Sequence, residues 1–201
     1  CNSASAKCAE GSIGAGTGCT LADVKGGFGA ASATLLNGRS LTAFVAVNAA
    51  GSATFGDSHF LRAAAFEQDG EFGGYGLPST LPEGADAAKT KFSAEPGGNT
   101  TIAVIATDLA LSKAQLKRLA IAAHDGIALA VYPAHTPRDG DTVFTLSTNP
   151  AREQASLADL TNASALAAST LARAVGRAIV QATASPGAAV AVWAGRRPPG
   201  H

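Results

Sequence analysis

Hydrophobic and polar positions become strongly patterned along the chain from Asn99 onward. Directly after it, TTIAVIATD (100–108) is apolar and β-branched, which predicts a buried strand. Earlier in the chain, LTAFVAVN (41–48) predicts another buried strand. Two later runs, TVFTLST (142–148) and AAVAVWA (188–194), complete the set of predicted strands.

Apolar residues at helical spacing predict two long helices. The first begins after Ser112, a typical N-cap residue, and runs to about residue 130. The second covers roughly 157–183, is rich in alanine and carries Arg173 and Arg177 on one side. Residues 52–98 show Gly and Pro clusters without periodicity, which predicts irregular, linker-like structure.

Composition limits the classes of function. The length of 201 residues favours one domain, with two small ones as the upper bound. Fifteen Lys and Arg residues balance 15 Asp and Glu residues, so net charge gives no electrostatic case for nucleic acid or an anionic membrane. No apolar run approaches the roughly 20 residues of a membrane span. The chain lacks Met and begins at Cys1, from which we expect a missing upstream segment, and the expected compartment is the cytoplasm.

The sharpest chemical feature is the Asn99-Thr100-Thr101 sequence. A hydroxyl residue that opens a buried strand after a Gly-rich lead fits an N-terminal nucleophile. In such enzymes the hydroxyl attacks the preceding carbonyl, the chain is cut, and the freed α-amine acts as general base. The reference pKa of that amine, about 7.7–8.0, leaves a useful neutral fraction at working pH. The alternative is an ordinary strand that starts with Thr.

Three charged residues are further candidates. Asp139 and Asp141 stand at i and i+2 on the edge of a predicted strand, a spacing that points both to one side and could orient a nucleophile or an amine. The alternative is an Asx-type turn. Lys25 lies in a Gly-rich stretch with few other charges and is either a buried cation or a surface lysine.

Other candidate sites are weaker. GSIGAGTG (11–18) resembles a phosphate-cradling loop, but no strand precedes it and no helix follows, so a tight backbone loop near an active centre is favoured. The cysteines form no CxxC pair and predict neither a zinc site nor a disulfide framework. The histidines lack HExxH or HxH spacing, and no GxSxG elbow supports a Ser-His-Asp triad, so we expect structural histidines. These residues are Cys1, Cys8, Cys19, His59, His124, His135 and His201.

The motifs taken together resemble a known family. The segment NTTIAVIATDLALSKAQLKRLAIAAHDGIALAVYPAHTPRDGDTVFTLST (99–148) closely resembles the self-processing region of the L-aminopeptidase/D-esterase family. That family includes the β-aminopeptidases and the nylon-oligomer (6-aminohexanoate-oligomer) hydrolase. EGSIGAGTG, LADVKGGFGAAS and the strand ending VNAAG resemble further family motifs in the same order, so the resemblance covers residues 9–195.

The resemblance implies a fold. Family members are α/β proteins with a four-layer αββα sandwich of the self-cleaving amidohydrolase type. They carry a long segment before EGSIGAGTG, so we expect residues 1–201 to be a single domain that forms the C-terminal part of that fold.

The resemblance also implies residue roles. Thr100 would be the nucleophile, freed by cleavage after Asn99 into chains 1–99 and 100–201. Lys25 would hold its hydroxyl or amine through a hydrogen bond, and Asn48 would donate to the oxyanion of the tetrahedral intermediate. Asp139 and Asp141 would orient the amine of Thr100. The Asn-Thr junction and the Asp pair favour the nylon-oligomer hydrolase branch.

Three functions stay open at this point. The first is an amide hydrolase that cleaves small peptides, β-peptides or ω-amino acid oligomers through an acyl-enzyme, without a metal or organic cofactor. Its expected partners are a small amide or peptide substrate, the other cleaved chain, and further copies in a homo-oligomer, a tetramer in the family. The second is an acyl transferase of the ornithine acetyltransferase kind, against which the Asp pair argues. The third is a non-enzymatic, unprocessed scaffold.

Overall fold

One four-stranded sheet organises the molecule. The structure, a computed structural model, describes residues 8–91, 98–150, 155–184, 187 and 190–196. In these residues the strands lie side by side in chain order, with β1–β2 and β2–β3 antiparallel and β3–β4 parallel. The helix α1 connects β3 to β4, and α2 follows β4. The elements are β1 (Phe28–Thr34), β2 (Ser40–Asn48), β3 (Thr100–Thr107), α1 (Lys113–Ala130), β4 (Thr142–Ser147) and α2 (Leu157–Val180).

Both helices begin at a capping box. The Ser112 hydroxyl accepts from the Gln115 backbone N–H, and the Gln115 side chain returns to the Ser112 backbone. Ser156 and Asp159 form the same arrangement before α2. Because each box satisfies two of the backbone donors that a helix start leaves open, it fixes where the helix begins. The predicted N-cap at Ser112 is confirmed.

The core lies between the sheet and the two helices. α2 packs on β1 and β2, and α1 packs on α2 and β4. Burial of this shared apolar surface is the main force that holds the layers together. The predicted α/β class is confirmed. The largest fully buried aliphatic side chains include Leu21, Leu41, Ile105, Leu119, Ile127, Leu171 and Ile179.

The opposite face of the sheet carries apolar side chains that are open. Ile102, Phe144 and Leu146 are 49%, 57% and 43% exposed. A four-layer sandwich buries such a face against a second sheet. The described residues therefore supply one sheet and one helical layer of the four that the family resemblance implies.

β1 is a strand that sequence analysis missed, because FGAASAT lacks the β-branched and aromatic run that marks strands. Its small residues serve packing instead. A Cβ on Gly29 would lie 2.2 Å from the Ala174 carbonyl oxygen of α2, so glycine permits the helix to approach the sheet this closely. The small residues of β1 thus form a packing surface for α2.

The 11–18 loop contains a 3₁₀ turn at Gly14–Gly16, and the next regular element after it is the strand β1 rather than a helix.

One predicted strand is wrong. In the described part of 188–194, residues 190–192 are irregular and Trp193–Arg196 form a 3₁₀ turn. Trp193 is fully buried, and its Nε1 donates to the His59 carbonyl oxygen at 2.9 Å. This tertiary anchoring overrides the apolar pattern. Residues 188 and 189 lie outside the described residues.

The other elements deviate little from prediction. β3 ends at Thr107, and α2 ends at Val180 rather than 183. Over the described part of 52–98 the prediction of irregular structure is confirmed, apart from the 3₁₀ turn Arg62–Phe66. The linker-like interpretation is wrong, because Ala53, Leu61 and Phe72 are buried in the core. No helix within the described ranges has both the length and the apolar character needed to cross a membrane.

Candidate active site

The Asn99–Thr100 junction lies at one end of the sheet, where three strands meet. Thr100 opens β3 and is paired with Asn48, the last residue of β2. On the other side, Asn99 forms a parallel bridge with Asp139, three residues before β4. The strand register thus brings four of the six predicted site residues to one place: Asn48, Asn99, Thr100 and Asp139.

Two donors converge on the Asn99 carbonyl oxygen. The Thr100 hydroxyl Oγ1 donates to it at 2.6 Å, and the Gly140 backbone N–H donates to it at 2.9 Å. The second bond continues the parallel ladder between β3 and β4. Donors on a carbonyl oxygen stabilise the negative charge that develops there when the carbon is attacked. The junction therefore presents a hydroxyl next to a polarised carbonyl.

Gly140 leaves room for the Thr100 hydroxyl. A Cβ at Gly140 would lie 2.8 Å from Thr100 Oγ1, closer than real Cβ contacts occur. The junction is also well enclosed, because Asn99 is 2% and Thr101 0% exposed. Within the described part of the chain, Asn99 Oδ1 and Thr101 Oγ1 are buried without a hydrogen-bond partner. Such atoms are a cost to stability that functional sites often carry.

Asp139 and Asp141 flank the junction by different contacts. Asp141 Oδ1 accepts from the Thr101 N–H at 2.9 Å, one residue beyond the candidate nucleophile. Asp139 Oδ1 accepts from the Ala50 N–H, and Asp139 Oδ2 accepts from both the backbone and the hydroxyl of Thr136. Asp139 therefore closes a turn, as its alternative interpretation predicted, while its backbone lies beside Asn99. The amine-orienting role of the pair stays a prediction.

Asn48 presents its carboxamide to the junction in one orientation. Its Nδ2 donates to the Gly98 carbonyl oxygen at 2.8 Å, one peptide before the Asn99 carbonyl. Its Oδ1 accepts from the Thr20 N–H at 3.1 Å and from Lys91 Nζ at 2.7 Å. The donor end of the side chain thus points to the backbone that precedes Thr100.

Lys25 is a buried cation, and the surface interpretation is wrong. Lys25 is 4% exposed, and its Nζ donates to the Thr17 carbonyl oxygen at 3.1 Å. It is bridged to Thr20, which in turn bonds Asn48. This places Lys25 next to the residues around the junction, and its predicted hydrogen bond to Thr100 stays a prediction.

Two further residues, Lys91 and His135, belong to this region and were not among the predicted site residues. Lys91 lies in the irregular stretch where no periodicity distinguishes it, yet its Nζ reaches Asn48 and Thr20. Desolvation by burial lowers the pKa of Lys91 to about 8. His135 Nδ1 lies 2.8 Å from Asp141 Oδ2, at ion-pair distance, and its Nε2 lies 3.2 Å from the His124 carbonyl oxygen. No sequence signal links Lys91 to the junction, whereas His135 lies in the same loop as Asp139 and Asp141 but was expected to be only structural.

Metal-binding clusters are not formed by the residues that the structure describes. Among them, no group of three or more His, Cys, Asp or Glu side chains is placed to hold an ion. Cys19 is buried, and its Sγ contacts the Ala15 carbonyl oxygen at 3.2 Å.

The chain is similar in sequence to known peptidases. The sequence model of peptidase family S58 matches residues 1–192. An uncharacterized aminopeptidase of Mycobacterium tuberculosis is 41% identical over 159 residues, which is 74% of this chain and 43% of the relative. A 6-aminohexanoate-oligomer endohydrolase of Kocuria sp. is 38% identical over 52 residues, or 26% of this chain and 15% of the relative.

A solved structure shares the fold. The L-aminopeptidase D-Ala-esterase/amidase of Ochrobactrum anthropi, described as a variant of the Ntn hydrolase fold, is 26% identical with a TM-score of 0.59. The match covers 89% of this chain and 47% of that structure. The chain thus spans less than half the length of these relatives, and the expected fold family is confirmed.

Proposed function

The chain belongs to peptidase family S58, and from this membership and the geometry of the Asn99–Thr100 junction we propose that it is the nucleophile-bearing part of a self-processing amide hydrolase. Thr100 is the proposed nucleophile. One observation carries the proposal: the Thr100 hydroxyl lies 2.6 Å from the carbonyl oxygen of the residue before it, and the Gly140 N–H donates to the same oxygen.

Self-processing begins with attack of Thr100 Oγ1 on the Asn99 carbonyl carbon. The bond between that carbon and the Thr100 nitrogen breaks, an ester to Oγ1 forms, and the hydroxyl proton passes to the nitrogen. Water then hydrolyses the ester, which leaves an Asn99 carboxylate and a free Thr100 amine. The Gly140 N–H stabilises the negative charge on the Asn99 oxygen during the attack.

Turnover repeats this chemistry on a substrate amide. The free amine of Thr100 removes the hydroxyl proton, and Oγ1 attacks the substrate carbonyl carbon. The carbon–nitrogen bond of the substrate then breaks, and the amine product leaves with the proton that the Thr100 amine had taken. Water resolves the acyl-enzyme and releases an acid. Asn48 supplies the donor to the substrate oxyanion, because its Nδ2 already faces the backbone before Thr100.

The carboxylates and Lys25 tune the amine. Asp141 bonds the Thr101 N–H and Asp139 is bridged to Asn99, so the two residues bracket Thr100. We assign them the orientation of the Thr100 amine. A nearby cation disfavours protonation of an amine, and Lys25 is assigned this opposing effect.

The two chains 1–99 and 100–201 stay associated after cleavage in this proposal. Eight residue pairs join β2 of the first chain to β3 of the second, from Leu41–Thr107 to Asn48–Thr100. α2 of the second chain also packs on β1 and β2 of the first. Cutting one peptide bond at the edge of this shared core leaves the apolar contacts intact.

The proposed substrates are small peptide or ω-amino acid amides, in line with the names of the aminopeptidase and oligomer hydrolase relatives. The test offers the full-length protein such amides, with and without an added amine acceptor. A hydrolase releases free acid at a rate that the acceptor does not change. Acyl transfer to the acceptor would favour the transferase alternative, and an uncut protein without turnover would favour the scaffold.

A further inference from the structure

Lys91 is a charged side chain that the proposed mechanism does not yet use. Its Nζ lies within hydrogen-bond distance of four uncharged oxygens: Thr20 O at 2.6 Å, Asn48 Oδ1 at 2.7 Å, Thr20 Oγ1 at 3.0 Å and Asn48 O at 3.4 Å. Its backbone N–H donates to the Ala50 carbonyl oxygen at 2.9 Å, which fixes the residue beside the end of β2.

A lysine in such surroundings is costly to a fold. An ammonium withdrawn from water is stabilised best by a carboxylate in hydrogen-bond contact. Lys91 is half-buried, and its hydrogen bonds within the described residues go to neutral oxygens, while the Asp139 carboxylate acts on it through charge at longer range. The exposed Lys89, two residues earlier, pairs with Asp57 at 2.8 Å. The contrast between these two neighbours indicates that Lys91 serves something other than stability.

The Asn48 carboxamide is what Lys91 controls. A carboxamide has one acceptor end and one donor end, which a half-turn exchanges. Two donors meet at Oδ1, the Lys91 ammonium and the Thr20 N–H. A half-turn would place the NH₂ group against both of them and would remove the bond from Nδ2 to the Gly98 carbonyl oxygen.

We propose that Lys91 is a positioning residue that locks the Asn48 carboxamide with Nδ2 toward the Thr100 nucleophile, where it serves as oxyanion donor. This inference rests on the proposed function, since Asn48 matters as an oxyanion donor only if Thr100 is acylated. Within the described residues, the hydrogen bonds of the Lys91 ammonium go to Thr20 and Asn48 rather than to Thr100, so Lys91 acts on the chemistry through Asn48. A charge-assisted hydrogen bond is stronger than a neutral one, which suits a lysine to this task.

A double-mutant cycle on the full-length protein tests the inference. Turnover of a small amide is measured for the wild type, Lys91→Met, Asn48→Ala and the double variant. We expect Asn48→Ala to lose roughly a hundredfold or more in kcat, as for removal of an oxyanion donor elsewhere. Lys91→Met should lose about tenfold in kcat with KM changed less than about twofold. In the Asn48→Ala background, the same change should cost less than about twofold, because the group it positions is gone.

Controls separate positioning from folding. Lys89→Met removes a nearby exposed lysine and should leave kcat unchanged, whereas Lys91→Arg keeps the charge and should restore part of the lost activity. Where Lys91→Met does not fold, Lys91→Gln, which retains a donor without the charge, replaces it in the cycle.

The outcomes are distinct. Losses from Lys91→Met and Asn48→Ala that multiply in the double variant would overturn the positioning role, as would an unchanged kcat in Lys91→Met. A wild type that is neither cut nor active contradicts the proposed function itself, and the inference with it.

Discussion

Two groups of partly or fully buried charges are treated differently by the fold. Beside β1, α2 contributes Arg173 and Arg177, which bond Glu71 and Glu10 at 2.6–3.1 Å. At the end of β2, Lys91 bonds only neutral oxygens among its hydrogen-bond partners in the described residues. The first group, the arginine–glutamate cluster of these four residues, ties separate segments together, whereas Lys91 lies beside the proposed nucleophile.

The pKa shifts also differ between the arginine–glutamate cluster and Lys91. In the arginine–glutamate cluster, burial works to raise the pKa of Glu71, but hydrogen bonds from both arginines outweigh it and lower the pKa. The hydrogen bond to Glu10 raises the pKa of Arg177. Lys91 shows the reverse, because desolvation lowers its pKa to about 8. Hydrogen-bonded ion pairs hold the arginine–glutamate cluster together, whereas Lys91 hydrogen-bonds neutral oxygens and keeps a shifted pKa, a feature often found near reacting groups.

The largest expected effect on stability comes from the arginine–glutamate cluster. Glu71→Gln removes the carboxylate charge that Arg173 and Arg177 share, so Arg173 loses its ion pair and Arg177 keeps only its pair with Glu10. Breaking a buried pair should lower the free energy of unfolding by about 3 kcal/mol. Denaturant unfolding of the full-length protein measures this, and turnover per folded molecule should be unchanged. Asp57→Asn, in an exposed pair with Lys89, is the control and should cost about 0.5 kcal/mol or less. Equal losses of unfolding free energy in Glu71→Gln and Asp57→Asn would contradict a stabilising role for the arginine–glutamate cluster.

Gly140→Ala tests the geometry of the Asn99–Thr100 junction. The added methyl group would lie 2.8 Å from Thr100 Oγ1 and displace the hydroxyl from the Asn99 carbonyl. A misplacement of this size should slow self-cleavage roughly a hundredfold. The time course of cleavage after synthesis measures it. Gly18→Ala, where the new methyl group meets nothing within 4 Å, should cleave at the wild-type rate. Normal cleavage of Gly140→Ala would show that the position of the hydroxyl against Gly140 does not govern the reaction.

Asp141→Asn should have a smaller effect on the chemistry. Asn keeps the size and the acceptor for the Thr101 N–H but removes the charge beside the Thr100 amine. We expect about a tenfold loss of turnover, or about 1.4 kcal/mol of barrier, at unchanged melting temperature. Asp139→Asn should lose stability as well, because its Oδ2 accepts two bonds from Thr136 that an NH₂ group cannot replace.

The exposed Asp125 on α1 provides the control for both carboxylate variants. Asp125→Asn should change neither turnover nor melting temperature. Full activity in Asp139→Asn and Asp141→Asn would restrict the pair to turn formation and end its assignment to the amine.

The smallest expected effect is the pH dependence that Lys91 gives to stability, because solvent screens the charge of a half-buried side chain. Its folded-state pKa of about 8 lies below the ordinary value of 10.5. Between these values the unfolded chain binds more protons than the folded one, so the free energy of unfolding rises with pH in that window. The free energy of unfolding of the wild type, minus that of Lys91→Met, should therefore grow as the pH is raised from just below about 8 to about 10. Cys19 and Asp139 act on Lys91 through charge, and Lys25 acts on Cys19, so the same difference is measured in a Cys19→Ala background. A difference that stays flat across the window would contradict the lowered pKa.

Much of the fold follows from local signals in the sequence. The β-branched run at 100–107 and the Ser112 cap are strong local signals, and the structure contains both elements. β1 escapes prediction because Gly29 is suited to contact with α2, a tertiary reason that no local pattern contains. The strand predicted around Trp193 fails for a related reason, since that side chain is held by His59 from a distant segment.

The candidate site likewise contains residues that sequence motifs predict and residues that only the folded structure brings together. The Asn99–Thr100 junction and the Asp139-Gly140-Asp141 loop carry recognisable sequence motifs. Lys91 belongs to a stretch without a pattern, and only the folded chain brings its Nζ to Asn48. Residues that act through a neighbour's orientation leave no spacing in a sequence, so folded geometry is needed to find them.

Thr100 is proposed to cut the peptide bond that precedes it. The decisive experiment is an intact-mass measurement of the purified full-length protein and of its Thr100→Ala variant. We expect two masses for the wild type, one for a chain that ends at Asn99 and one for a chain that begins at Thr100, which together equal the precursor plus one water. We expect a single uncut mass for Thr100→Ala. A single mass for the wild type, or cleavage of Thr100→Ala at the same bond, would contradict this proposal.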